Sequence, residues 1–124
     1  MSETNQLALV DGIGVFKPTG SFRFQQAIAL VTAVIVKARE QGLRKILIDS
    51  RGLSGFQPPS LSERHWMVRE WVEASGGRLK IAVVAPEAFI DPEKFGIVAA
   101  ANFGVTSEVF TSELEAMQWL HGVE

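Results

Sequence analysis

The chain has 124 residues, 47% of them hydrophobic and 21% charged, with a formal net charge of −2 and no cysteine. That profile fits one globular domain with a sizeable core, and it excludes a disordered chain, a disulfide scaffold and a thiolate metal site. Charge is segregated: residues 12–48 carry Lys17, Arg23, Lys37, Arg39, Arg44 and Lys45 against Glu40 alone, while residues 87–124 carry seven acids against Lys94. Such asymmetry reads first as solvated helix faces, and second as a means of orienting toward an anionic surface or another copy of the chain.

The start, "MSETNQLALVDG", lacks a basic stretch leading into an apolar one, so no signal peptide is expected and the cysteine-free chain points to a reducing cytoplasm. The most apolar run, residues 27–36, contains Thr32 and is half the roughly 20 residues a spanning helix needs.

In chain order, residues 6–10 read as a short strand. Asp11-Gly12 is a two-residue hairpin signal because both turn positions favour positive φ, and residues 13–17 return as the second strand. After Pro18-Thr19-Gly20, Ser21 is placed to cap a long helix ending near residue 41, with Gly42 as its left-handed stop. At about 100° per residue, Phe24, Ala27, Ile28, Leu30, Val31, Val34, Ile35 and Ala38 share its core-facing side. Residues 45–50 hold the continuous run "ILI" of a strand buried on both faces. Ser60-x-x-Glu63 is a capping box opening a second helix that Gly76-Gly77 ends. "LKIAVVA", residues 79–85, is another buried strand. Asp91-Pro92 opens a third helix to about residue 103, residues 105–110 form the last strand, and Ser112-x-x-Glu115 caps a final helix with Leu114, Met117 and Leu120 inward. The order ββαβαβαβα predicts a single α/β domain over residues 1–124: a mixed, mostly parallel sheet with four helices.

Catalytic motifs are sparse. No Gly-rich run ends in Gly-Lys-Ser/Thr, and Gly12-Ile13-Gly14 lies in a hairpin rather than between strand and helix. His65 and His121 have no metal-ligand spacing, so no metal or other cofactor is expected, and no basic stripe with interleaved aromatics points to nucleic acid. Ser50 follows a strand, but Asp-Ser-Arg-Gly is not the Gly-x-Ser-x-Gly elbow, and Asp49 and Ser50 point to opposite faces of an extended strand. A hydrolase built on Ser50, Asp49 and His65 is therefore the weakest of three functional readings.

The element order, together with "QGLRKILIDSRGLSGFQPPSL", "LKIAVVAPEAFIDPEKFG" and "EVFTSELEAMQWL", resembles the STAS superfamily, the anti-sigma-factor-antagonist fold. It is similar above all to the SpoIIAA-like branch, often described together with CRAL-TRIO lipid-binding domains. The resemblance spans nearly the whole chain. In phospho-switched members, the loop before the second helix carries Asp-Ser-Ser/Thr-Gly, whose serine a partner kinase phosphorylates. That loop corresponds here to Gln57-Pro58-Pro59-Ser60, with proline at the acceptor position. Ser60 and Ser62 lie beside it, where phosphate would meet a favourable helix N-terminus; capping alone also accounts for serine there.

Two side chains on the second helix are out of place. Trp66 falls among Glu63, Arg69, Glu70 and Glu73, where it suits a membrane interface, a dimer seam, a pocket lid or packing under a neighbouring loop. Arg64 lies toward the apolar side, facing the carboxyl ends of the strands, where open α/β sheets bind ligands. "FGIVAAANFG" in the third helix has only Asn102 as a polar residue, which implies a homodimer contact or an apolar wall. The expectation is a cytoplasmic, non-catalytic regulatory module that captures a small anionic or lipid-like ligand or touches a membrane peripherally. Asp49, Arg51, Phe56, Arg64 and Trp66 would bound the site, Phe95 and Phe103 would wall it, and Arg51 and Arg64 would hold the head group. The alternative is a partner-switching protein-interaction module, phosphorylated on Ser60 or Ser62.

Overall fold

The apolar runs assemble into a five-stranded sheet in the order β1-β2-β4-β6-β7. The computed structural model describes residues 7–76, 79–90 and 106–122. Its strands are β1 (Ala8–Val10), β2 (Ile13–Phe16), β4 (Lys45–Asp49), β6 (Lys80–Val84) and β7 (Thr106–Phe110), and two further short strands are β3 (Gly20–Ser21) and β5 (Leu53–Ser54). The described helices are α1 (Phe24–Glu40), α2 (Leu61–Ser75) and α3 (Glu113–His121).

β1 runs antiparallel to β2, and every other neighbour in the main sheet is parallel. The antiparallel pair turns on Asp11 at φ +53° and Gly12 at φ +80°, as the hairpin signal requires. The "ILI" strand sits at the centre: Ile46, Leu47 and Ile48 are fully buried, with Ile48 beside Phe16 on one side and Val83 on the other.

Strand alternation sends side chains into two cores. Ile46, Ile48 and Ile81 pack with Phe16, Val31, Ile35, Ala38 and Val68 under α1 and α2. Leu47, Ala82 and Val84 pack with Ile13, Val15, Ala116 and Leu120 under α3. Lys80 fastens the end of α3, its Nζ lying 4.5 Å over the Trp119 ring and donating to the Trp119 carbonyl at 3.2 Å.

Two expectations change, and a third falls outside the described residues. Ser21 does not cap α1: it belongs to β3, which pairs in parallel with β5, and the Phe22 N–H donates to Ser54 O at 2.8 Å. The helix starts after Arg23 instead, where Gln26 Oε1 accepts the Arg23 backbone N–H at 3.0 Å. Leu114 is 68% exposed rather than inward. The buried residues of α3 are Ala116 and Leu120, with Met117 half-buried beside them, and a residue two positions before Ala116 faces about 200° away from it. Lastly, the third predicted helix, residues 91–103, lies outside the described residues together with Phe95, Phe103 and the dimer contact expected there.

Candidate functional site

The loop at the carboxyl end of β4 begins with a local lock. Asp49 is buried at the strand end and caps a turn of 3-10 helix (Ser50–Gly52). Its Oδ1 accepts the Arg51 backbone N–H at 3.1 Å and Arg51 Nε–H at 2.9 Å, and its Oδ2 accepts Arg51 Nη2–H at 2.7 Å. Lys17 pairs with Glu113 at 2.7 Å, and Arg51 approaches the same carboxylate at 3.9 Å. Asp49 follows Leu47 in the strand alternation, so this network lies on the α3 side of the sheet and ties the ends of β2 and β4 to the first turn of α3.

Burial pushes the Asp49 carboxyl up, but its hydrogen bonds from Arg51 and the positive charges of Arg51 and Lys17 outweigh that and hold it below its ordinary value. The Arg51 guanidinium is raised in return, chiefly by its hydrogen bond to Asp49. A lowered carboxyl contributes stability that is fully present above its unfolded value, near 3.9, and is lost as the pH falls through the folded value. Asp49→Asn should therefore cost about 1 kcal/mol at neutral pH, read by urea unfolding. The two proteins should converge as the pH falls through the folded value of Asp49; a gap that persists in strong acid would contradict the assignment.

Ser50 points the other way. Its hydroxyl donates to the Val84 carbonyl at 3.0 Å, joining the ends of β4 and β6, and its side chain borders a cavity of about 150 Å³ between the sheet, α1 and α2. The floor includes Ile48, Ile81 and Val83; the walls include Ile28 and Val31 of α1, and Val68 and Trp71 of α2. Arg64, Phe24, Phe56 and Phe89 also border it. Phe56 and Phe89 follow the carboxyl ends of β4 and β6, the side of an open α/β sheet that favours ligands.

The aromatics form a chain. Phe24 and Phe56 meet edge-on with centroids 5.8 Å apart, and Phe56 and Phe89 do the same at 5.8 Å. Trp66 joins from outside, tilted against Phe24 at 6.2 Å and 38% exposed. Its misplaced indole is thus explained in part by packing on the start of α1. Arg64 is half-buried on the apolar side of α2, as the helical spacing predicts, and it takes no part in the three ion pairs among the described residues.

Five of the seven expected site residues are therefore described, and they separate. Phe56 and Arg64 share the cavity, and Trp66 abuts its Phe24 wall. Asp49 and Arg51 are engaged with each other on the opposite side of the sheet. The two arginines do not converge on one head group, because alternation along β4 and the Asp49 cap turn Arg51 toward Glu113. Helical spacing places Trp71 on the apolar face of α2 with Leu61, Met67, Val68 and Val72, as core rather than as a site residue; seven residues after Arg64, it returns to the same helix face and lines the cavity.

At the entrance to α2 the capping box is formed. Ser60 Oγ accepts the Glu63 N–H at 3.2 Å, and Glu63 Oε1 accepts the Ser60 N–H at 2.9 Å. Ser60, Leu61 and Ser62 are all exposed, Leu61 at 63%. No helix among the described residues is long and apolar enough to cross a membrane.

No family model matches the chain, and no curated protein matches it in sequence. Among solved structures it is similar to the anti-sigma factor antagonist SpoIIAA in its unphosphorylated form, at 22% identity and a TM-score of 0.50, over 95% of this chain and 98% of that one. The likeness establishes the fold alone: an α/β domain with a mostly parallel sheet, folded as SpoIIAA is.

Proposed function

We propose that the chain is a non-catalytic regulatory module that works by binding a protein partner, in the manner of an anti-sigma factor antagonist. The observation that carries this reading is the end-to-end likeness to SpoIIAA, over 95% of the chain. The proposed docking surface is the first turn of α2 with the loop before it. There Leu61 presents a large apolar side chain to solvent, and Trp66 adds a partly exposed ring one turn further on. Exposed apolar anchors rimmed by polar residues are what a transient interface uses. The serines support a non-catalytic role, since the Ser50 hydroxyl donates to a backbone carbonyl and Ser60 Oγ caps a helix.

The proline pair distinguishes this chain from a phospho-switched antagonist. Pro58 and Pro59 stand where the acceptor serine is expected and have no hydroxyl to modify. A phosphate on Ser60 would sit against the Glu63 carboxylate that completes the capping box, and the like charges would repel. Ser62 is exposed and is the better acceptor of the two.

The test is calorimetric titration with a purified anti-sigma factor of the serine-kinase type, followed by incubation of the pair with ATP. Binding is expected, weakened at least about tenfold by Leu61→Arg as a lost interface anchor. Phosphate, if transferred, is expected on Ser62. Absence of any complex with such partners would sink the reading, and quantitative phosphorylation of Ser60 would overturn the assignment within it.

A further inference from the structure

Two residues lining the cavity under α1 and α2 carry features that core packing does not require. The Trp71 Nε1–H is a buried donor with no hydrogen-bond partner among the described residues. An orphaned N–H of that kind is unfavourable and is seldom left in a folded chain without a reason. Arg64 brings a cation to an otherwise apolar lining, and no acid pairs with it among the described residues. Among the described lining residues the one carboxylate is Glu108 on β7, which accepts the Val109 N–H at 3.0 Å.

Arg64 and Trp71 stand two turns apart on one face of α2, roughly 10 Å along the helix axis. The edge-on rings of Phe24, Phe56 and Phe89 line the same cavity. A cavity of about 150 Å³ takes one benzene-sized ring. A cation, an unused donor two helical turns from it and an aromatic wall describe a ligand with an acid group, a flat apolar body and a second oxygen.

From this we infer that the cavity is a binding site for a small aromatic acid carrying a second polar oxygen. The carboxylate pairs with Arg64, the ring packs edge-on against Phe24, Phe56 and Phe89, and the distal oxygen accepts the Trp71 Nε1–H. The indole swings within the broad range open to its terminal torsion to bring that N–H to the ligand. The cavity adjoins the proposed partner surface, since Trp66 abuts its Phe24 wall, but the probe titration and the partner titration are separate measurements, so either reading can fail without the other.

The probe is 4-hydroxyphenylacetate, titrated into the full chain by calorimetry and by NMR of the three indole N–H signals (Trp66, Trp71 and Trp119). One-to-one binding is expected, with the Trp71 indole signal moving most. Phenylacetate, which lacks the distal oxygen, is expected to bind about fivefold to tenfold more weakly, the worth of one hydrogen bond. Trp71→Phe keeps the ring and removes the donor, so it should make the two probes equal. Arg64→Gln should weaken both at least about tenfold, as loss of a charge-assisted pair requires. Vesicles containing phosphatidylglycerol form the last arm, because a lipid head group offers the same anionic chemistry. Failure of the probe to bind, full discrimination retained in Trp71→Phe, or binding to vesicles alone would each overturn the proposal. Should Trp71→Phe not fold, the comparison of the two probes and the Arg64→Gln result still decide it.

Discussion

Ile48→Ala is expected to destabilise the protein by about 3 kcal/mol, the usual cost of emptying a fully buried aliphatic site. Ile48 is completely buried between Phe16 on β2 and Val83 on β6, and its outer side is floor to the α1–α2 cavity. For a chain of this length the melting temperature should fall by roughly 10 °C, read by calorimetry. Part of the cost comes from the void left behind, because a stiff central strand with a partner on each side cannot collapse into it. The same truncation enlarges the cavity floor, so bulkier ring ligands should recover more stability in this variant than in the wild type. A loss well under 1 kcal/mol would mean that the site relaxes freely and that the strand is not the rigid floor described above.

Gly55→Ala should be nearly as damaging, at about 2–3 kcal/mol, although the residue is exposed. Its φ of +98° lies where a side chain is rarely tolerated. A Cβ there would also stand 2.5 Å from the Phe22 carbonyl oxygen and 2.7 Å from Ser21 Oγ. Those atoms belong to the crossing where β3 meets β5, which holds the loop carrying Phe56 close to the start of α1 carrying Phe24. The predicted signature is a combined one: lower stability in urea and a disturbed Phe24–Phe56 contact in NOE spectra. Loss of stability with that contact intact would show that the strain is absorbed locally.

Much of the fold was readable because it rests on local rules. Asp11-Gly12 specifies its turn by backbone sterics, "ILI" between charged ends suits a strand buried on both sides, and Ser60-x-x-Glu63 satisfies two helix-end donors by itself. The pairing of β3 with β5 was not readable, since strands of two residues carry no periodicity and are made by contact between distant segments. It is also why α1 begins at Phe24 rather than after Ser21. For the site, helical spacing placed Arg64 correctly on the apolar side of α2. The opposed directions of Asp49 and Ser50 were equally legible from alternation, yet only Ser50 belongs with Arg64. What could not be read was the Arg51 side chain folding back onto Asp49, which depends on a cap and a turn formed after the strand ends. Trp71 looked like ordinary core until its N–H was seen to lack a partner.

The division of side chains at the end of β4 makes the sheet an insulating partition. On one side the Asp49–Arg51 pair, with Lys17 and Glu113, is an electrostatic clasp on α3 that answers to acid. On the other, Ser50, Arg64 and the aromatic rings border the cavity where the aromatic acid is proposed to bind. A single backbone step separates residues facing two different environments. Sequence drift in the clasp can therefore retune how the protein tolerates acid while leaving the cavity lining unchanged, and the lining can change without loosening the clasp.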